Sequence, residues 1–179
     1  LDLNSNLAEL NGQAEVTISS WVNVTEDSGD DVIFAQGNGD PILLWDNISG
    51  TTNDDTYTFS VGNTGTGNRV DAAPTGISVG NTWQYVSAAM ESSNRYIYVD
   101  GVLRNTTTGA VGTITSNTGG SFIGRWLNSF DYGGLVDEFR ISSVEREAAW
   151  VAAEYENMNA PSDFYMISSG FGIPTRIFS

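Results

Sequence analysis

Three residue types that carry much of enzyme chemistry, cysteine, histidine and lysine, do not occur in this chain of 179 residues. Without cysteine the chain has no disulfide and no thiolate site, and without histidine it has no Ser-His or Cys-His pair and no imidazole ligand for zinc. Without lysine neither a Schiff base nor a phosphate-binding P-loop is available. Carboxylate chemistry and metal sites made of oxygen ligands are the options that remain.

Positive charge is also scarce, because seven arginines stand against 22 acidic residues and the net charge is −15. A surface of this kind repels phosphate backbones, so we expect no nucleic-acid partner. No apolar run is long enough to cross a bilayer, and we expect no membrane insertion. The chain begins at Leu1 without Met, as a processed or excised segment would, and its loops are rich in Ser, Thr, Asn and Gly. These features predict an extracellular, secreted or cell-surface location.

The most regular stretch runs from Trp83 to Asn105, WQYVSAAMESSNRYIYVDGVLRN, and predicts three consecutive antiparallel strands. The first two strands are separated by a polar turn, and Asp100-Gly101 is a two-residue signal for a type I′ turn before the third. Ile97 and Val99 are predicted to point to one face of the sheet and Tyr96 and Tyr98 to the other.

Three segments together resemble laminin-G-like domains, which have the concanavalin A-like jelly-roll fold. The meander contains YIYVDGVL, residues 16–24 read VTISSWVNV, and residues 121–142 contain SFIGRW and FDYGGLVDEFRIS, in the family's order and spacing. The resemblance implies an all-β, antiparallel β-sandwich of jelly-roll type. We predict further short strands, among them Ala110 to Thr115, and a closing strand over Leu135 to Ile141.

After the sandwich the periodicity changes to that of a helix. A helix is predicted over about 144–158, with Ser143 as its N-cap and an apolar stripe of Trp150, Tyr155 and Met158 that packs on the domain. A last strand is predicted from Phe164 to Ile167. The LamG-like domain therefore spans 1–168, and 169–179 is a C-terminal tail, either an inter-subunit strand or a linker.

Asp137 is predicted to share a face with Leu135, Phe139 and Ile141, where a carboxylate needs a partner. That partner is either a structural Ca²⁺ or ordinary backbone N–H groups or an arginine; the resemblance to jelly rolls also implies calcium at this closing-strand acid. Glu138 and Arg140 are predicted to form a solvated pair on the opposite face.

Acidic loops at the rim of the sandwich suggest a second calcium site of the laminin type, with Asp40 and Asp131 as the chosen ligands because they lie beside the matched segments. The alternative is that these acids only keep the protein soluble.

Aromatic residues near loop ends could stack on the face of a sugar ring. Trp126 is the preferred platform because it follows a strand end and has Asn128 nearby, and Tyr132 is included in the same predicted site. Trp45 and Trp83 are predicted to be core residues. Sequons occur at three positions, which are candidate glycosylation sites if the source glycosylates: Asn23, Asn47 and Asn105.

No strand carries the alternating acids that jelly-roll glycosidases use, so we predict that the protein is not an enzyme. The function predicted first is a surface-displayed module for adhesion or structural assembly, such as a filament, sheath or virion subunit that binds copies of itself or other surface proteins. The alternative is a carbohydrate-binding module of a larger secreted protein, with glycans as partners. The assembly reading depends on an alternating apolar tail that could pair with an open sheet edge of a neighbour, through Phe171, Ile173, Ile177 and Phe178.

Overall fold

Two five-stranded antiparallel sheets form the molecule in a computed structural model. The structure describes residues 1, 3, 7–25, 30–37, 42–47, 56–62, 68–72, 82–109, 112–114, 119–126 and 131–164. The strands are β1 (Glu15–Val24), β2 (Asp30–Gln36), β3 (Ile42–Asn47), β4 (Thr56–Val61), β5 (Arg69–Asp71), β6 (Gln84–Glu91), β7 (Asn94–Val99), β8 (Val102–Thr107), β9 (Ser121–Ile123) and β10 (Gly134–Ser142). We call the sheet with strand order β10-β1-β6-β7-β8 the helix-side sheet, and the sheet with order β5-β4-β3-β2-β9 the second sheet.

The predicted meander is confirmed as β6, β7 and β8. Asp100 and Gly101 have φ values of 52° and 74°, which is the pair of positive values that a type I′ turn requires. Ile97 and Val99 lie in the core between the sheets, while Tyr98 points to the outer face of the helix-side sheet, as the alternation predicts.

The main core lies between the two sheets, where apolar side chains from both inner faces meet. Ile18 and Val86 of the helix-side sheet and Leu44 and Phe59 of the second sheet have no exposed surface. This arrangement is that of a β-sandwich, in which each strand alternates core residues with outward-facing ones. The predicted all-β sandwich of jelly-roll type is confirmed.

The N-terminal residues lie along the edge of the sandwich, and one predicted strand is not formed in its described part. Leu1 and Leu3 exchange backbone hydrogen bonds with β9, and a short 3-10 turn spans Ala8–Leu10. The strand predicted from Ala110 to Thr115 is wrong for its described part, 112–114, which contains no strand. The backbone N–H of Ile114 donates instead to the carbonyl of Gln13, so this segment is tied to a loop and not to a sheet.

The helix after the sandwich exists but begins later than predicted. It is α1 (Ala148–Asn159), followed by a short α2 (Pro161–Phe164), so the prediction of a helix starting at 144 is wrong. Phe164 ends α2 and does not begin a strand, and the rest of the strand predicted to Ile167 lies outside the described residues. Ser143 is not the N-cap, because Glu147 occupies that position. The preceding residues are held by β1: Thr17 Oγ1 donates to the carbonyl of Val144 and accepts the N–H of Arg146.

A β-bulge in β10 decides which side chains face the core. Ser19 lies opposite Arg140 but Trp21 lies opposite Asp137, so β10 contains one extra residue at Glu138, whose φ is 52°. The extra residue shifts the alternation, and Val136, Phe139 and Ile141 all pack on the main core. Asp137 is predicted to share a face with Leu135, Phe139 and Ile141. Its side chain is exposed on the outer face, as is that of Leu135, whereas Phe139 and Ile141 face the core, so the prediction is wrong for those two residues. Among the described residues no helix is long and apolar enough to cross a membrane.

Candidate ligand-binding surfaces

The outer face of the helix-side sheet carries an aromatic cluster under α1. Trp21 of β1 and Tyr85 of β6 have ring centroids 5.6 Å apart, and Tyr155 of α1 lies 5.8 Å from the first and 6.2 Å from the second. Val151, which is completely buried, lies in the same cluster. These contacts attach α1 to β1 and β6. The prediction that Trp150 is part of the packed stripe is wrong, because Val151 fills that place and Trp150 is 51% exposed.

A polar network runs along the edge of this cluster, at the junction of α1 and β10. The Tyr85 hydroxyl donates a short hydrogen bond to Oε2 of Glu154, while Oε1 of Glu154 accepts from Arg140 at 2.8 Å. Arg140 also binds Glu138 at 2.7 Å, which confirms the predicted surface pair. Burial, followed by the hydrogen bond to Glu154, raises the pKa of Tyr85 well above its ordinary value. The network fixes Arg140 between two carboxylates.

Three connected hollows lie along α1 over β10 and β1, and we call them together the α1 groove. The hollow at the start of the helix has a volume of about 240 Å³, the middle one about 300 Å³ and the one at the end about 410 Å³. The first two share Arg140, Trp150 and Glu154, and the last two share Met158. The three hollows thus follow one another along the helix, and neighbouring hollows have lining residues in common.

Two half-exposed tryptophans stand near the two ends of the α1 groove. Trp150 is 51% exposed and the Arg146 guanidinium lies 4.2 Å from its ring centroid, a cation–π contact that orients the indole. Trp83 is 42% exposed and lines the far hollow with Trp21 and Asp137. The prediction that Trp83 is a core residue is wrong, since it precedes β6 and lies outside the sandwich interior.

Sequence reasoning missed this groove because both of its tryptophans were assigned to packing. The helical period is the signal that could have identified Trp150 as exposed: Val151 and Tyr155 lie one turn apart and point to the sheet, and Trp150 is rotated by about 100° from Val151. For Trp83 no sequence signal was available, because a residue just before a strand can point to the core or to the outer face of the sheet.

A second aromatic surface lies on the outer face of the second sheet and includes the predicted platform. Trp126 packs against Val32, Ala35 and Trp45, and its indole N–H donates to the carbonyl of Gly37 at 3.1 Å. Trp45 is only 7% exposed, in agreement with a packing role. The ring of Trp126 is half-buried, and its sugar-stacking role stays a prediction.

The other two members of that predicted site are Tyr132, whose N–H donates to the carbonyl of Gly124 at 2.9 Å, and Asn128. Tyr132 packs against the main core. Burial, and after it the nearby Tyr132, raises the pKa of the buried Tyr57. The predicted role of Tyr132 in sugar binding stays a prediction. Asn128 lies outside the described residues.

The acids predicted as calcium ligands are not brought together in the described part of the chain. Asp137 Oδ1 accepts the N–H of Glu138 at 2.8 Å, a bond that supports the bulge and matches the backbone alternative for this carboxylate. Asp131 is exposed, and Asp40 lies outside the described residues. The described residues contain no group of three acidic side chains that could hold a metal. Calcium at these residues stays a prediction.

The three sequons differ in accessibility. Asn23 is 4% exposed within β1 and is paired on one side with Leu135 of β10, so the folded chain does not present it to a modifying enzyme. Asn105 is exposed on β8, where its amide donates to the carbonyl of Asp71. The side chain of Asn47 lies outside the described residues, as do Phe171, Ile173, Ile177 and Phe178 of the predicted assembly tail.

Two facing antiparallel sheets closed by β10 define a jelly-roll β-sandwich, a class shared with many lectin domains. The chain belongs to the concanavalin A-like lectin/glucanases superfamily, whose laminin G model matches residues 2–152. This confirms the family that the sequence motifs predict. No curated protein matches the chain in sequence.

Solved structures with the same fold share little sequence with this chain. CBM40 of the Ruminococcus gnavus IT-sialidase, bound to α2,3 sialyllactose, has a TM-score of 0.64 and 14% identity over 81% of this chain and 84% of that one. Domain 4 of AbnA, an extracellular arabinanase from Geobacillus stearothermophilus, in complex with arabinotriose, has a TM-score of 0.61 and 19% identity over 80% and 68%. A heptameric pentraxin from Limulus polyphemus has a TM-score of 0.62 and 15% identity over 82% and 71%.

Proposed function

We propose that this chain is a non-catalytic carbohydrate-binding module and that the α1 groove is its sugar-binding site. The observation that carries the proposal is the pair of half-exposed tryptophans, Trp150 and Trp83, in one groove with charged and amide side chains. Two structural neighbours were solved with bound sugars, which supports the alternative that the sequence left open. An extracellular location is part of the proposal.

The side chains of the groove suit recognition of a sugar. An indole face provides a flat apolar surface for the C–H groups of a pyranose ring, and nearby carboxylates and amides accept or donate hydrogen bonds to its hydroxyls. Asp137 and Asn159 lie beside Trp83 in the far hollow, and Asn157 lies beside Trp150 in the middle one. Each tryptophan therefore has polar neighbours of the right kind.

The arrangement of the acidic side chains in the groove suits ligand binding and does not suit general acid–base catalysis. A glycosidase needs one carboxyl group with a raised pKa and a second one across the scissile bond. Here Glu138 and Glu154 are both bound to Arg140, at 2.7 Å and 2.8 Å, so both carboxylates are engaged in ion pairs and not placed across an open cleft. The proposal therefore includes the absence of hydrolysis.

A screen of immobilised glycans with the whole chain, followed by calorimetric titration of the glycans that bind, tests the proposal. Trp150→Ala and Trp83→Ala are each expected to weaken binding by about tenfold or more, because each removes one stacking surface. Leu103→Ala, which removes an apolar side chain 44% exposed on β8, is the matched control and is expected to leave affinity unchanged. If Trp126→Ala abolishes binding while Trp150→Ala and Trp83→Ala do not, the ligand occupies the second sheet and the assignment to the α1 groove is refuted.

Assembly is the second candidate function, and the open edge strand β8 is the observation that favours it. Among the strands that the structure describes, β8 pairs with β7 alone, and Val102 and Leu103 on it are 53% and 44% exposed. An edge of this kind can accept a strand from another copy or from a surface protein. Sedimentation of the full chain and of a chain lacking 170–179 tests it: if both are monomeric at all concentrations, the assembly reading fails.

A further inference from the structure

The length of the α1 groove exceeds that of a single sugar ring. Trp150 and Met158 are eight residues apart on α1, which places them about 12 Å apart along the helix axis. Met158 is shared by the middle hollow and the far one, and Trp83 lies beyond it in the far hollow. The two tryptophans therefore stand too far apart to contact the same ring, and each of them forms a separate contact point.

The charge along the groove disfavours an anionic ligand. The lining contains three acids, Asp137, Glu138 and Glu154, and two arginines. Arg140 is already bound to two of the acids, so it has little charge left to offer to a carboxylate. The whole chain adds a net charge of −15, which repels anions at long range.

The remaining arginine lies in acidic surroundings as well. The Arg146 guanidinium is placed over the Trp150 ring, and its sequence neighbours are Glu145 and Glu147. Burial, and after it the nearby charges of Glu91, Glu147 and Glu15, raise the pKa of Glu145, which shows that acids are concentrated at this end of α1. A ligand carboxylate approaching Arg146 would meet these acids too.

We propose that the α1 groove binds a neutral oligosaccharide lengthwise, as a stretch of chain with one sugar ring against Trp150 and another against Trp83, and that it rejects sugars bearing a carboxylate. This inference rests on the proposed carbohydrate-binding function and names the class of sugar. It gives this chain a different class of ligand from the acidic sugar with which its structural neighbour CBM40 was solved, although the two share a fold. The ligand chemistry follows from the two separated indoles and from the excess of acids between them.

The test is a comparison of oligosaccharides that differ in length or in charge alone. For the neutral series that binds in the glycan screen, calorimetry from the monosaccharide upwards is expected to show affinity rising with each added ring and then reaching a plateau. Methyl-esterified and free oligogalacturonides of one length form a pair that differs in charge alone, as do the methyl ester of sialyllactose and sialyllactose itself. In each pair the acidic member is expected to bind more weakly or not at all.

Two further measurements separate the outcomes. Raising the salt concentration from about 0.05 to about 0.5 M is expected to change the affinity for a neutral glycan by less than about twofold, because little of the binding is ionic. Trp150→Ala and Trp83→Ala are both expected to weaken the longest ligand, while a monosaccharide responds to one of them at most.

The possible results are distinguishable. Preference for an acidic glycan, with affinity that falls steeply with salt, overturns the neutral assignment but leaves carbohydrate binding intact. Equal affinity for a monosaccharide and for longer chains, or sensitivity to only one tryptophan, overturns the lengthwise arrangement. Binding of no glycan at all refutes the proposed function itself.

Discussion

Replacing Tyr85 by phenylalanine removes the bond that connects the helix-side sheet to α1. The ring of Tyr85 is completely buried between Trp21 and Tyr155, and its hydroxyl donates to the Glu154 carboxylate. Tyr85→Phe keeps the ring and its stacking contacts. The substitution therefore isolates one hydrogen bond to a charged acceptor.

The expected loss in the free energy of unfolding depends on the contacts that Glu154 retains in the variant. A hydrogen bond to a charged group contributes about 1.5–3 kcal/mol to the free energy of unfolding. Glu154 remains paired with Arg140 and its side chain is 19% exposed, so water can replace part of the lost contact. We expect a loss of about 2 kcal/mol, which for a chain of this size lowers the melting temperature by about 4–8 °C.

Tyr98→Phe is the matched control for this experiment. Tyr98 is 2% exposed in the same cluster under α1, but its hydroxyl makes no hydrogen bond to any residue of the described part of the chain. We expect a change of less than about 0.5 kcal/mol. Urea unfolding followed by tryptophan fluorescence measures both variants. If the two losses differ by less than about 0.5 kcal/mol, the Tyr85–Glu154 bond does not stabilise α1 on the sheet.

Three other expectations concern a tight contact, ionisation and the bulge in β10. Gly134→Ala would bring a Cβ into the carbonyl oxygen of Asn23 and should lower the free energy of unfolding by about 1–3 kcal/mol or more. Gly112→Ala is the control and should be tolerated, because the nearest atom is 4.0 Å from its Cβ position. Equal melting temperatures for the two variants would contradict this. Burial raises the pKa of Tyr57, Tyr85 and Tyr98 above 10.0, so the stability that each contributes below pH 10 is lost as pH rises, by at most about 1.4 kcal/mol per pH unit for each. Buried Arg95, with a pKa lowered to about 10, opposes the loss from one of them. Urea midpoints at about pH 9, 10 and 11 should therefore fall, and a flat profile would show that the phenols are not buried. Asp137→Asn should change stability by less than about 1 kcal/mol, since the carboxylate is exposed and its bond is to the N–H of Glu138; a calcium-dependent rise in melting temperature that this variant abolishes would restore the metal reading.

Most of the strand pattern was predictable because it rests on local chemistry. The alternation of Ile97 and Val99 with Tyr96 and Tyr98 and the Asp-Gly turn at 100–101 depend on neighbouring residues only, and both are confirmed. The family followed from motifs that are themselves short strands and turns.

The errors lie where a distant contact overrides the local pattern. The predicted face of Asp137 was wrong because the prediction assumed strict alternation along β10. The bulge at Glu138, which is set by the pairing of β10 with β1, interrupts that alternation. The start of α1 was wrong because Thr17, from the first strand, holds Val144 and Arg146 in a non-helical segment. In both cases the deciding partner is more than 100 residues away in sequence.

The amino-acid sequence by itself determined the class of this protein: an acidic β-sandwich without the side chains that most catalytic centres need. Those properties follow from composition and from periodicities that act over a few residues. Only the tertiary structure decided which tryptophans are exposed and where they meet. Trp83 and Trp150 lie far apart in the sequence, and they line neighbouring hollows because α1 packs on the outer face of β1 and β6. The candidate site is a product of that packing, and no local pattern encodes it.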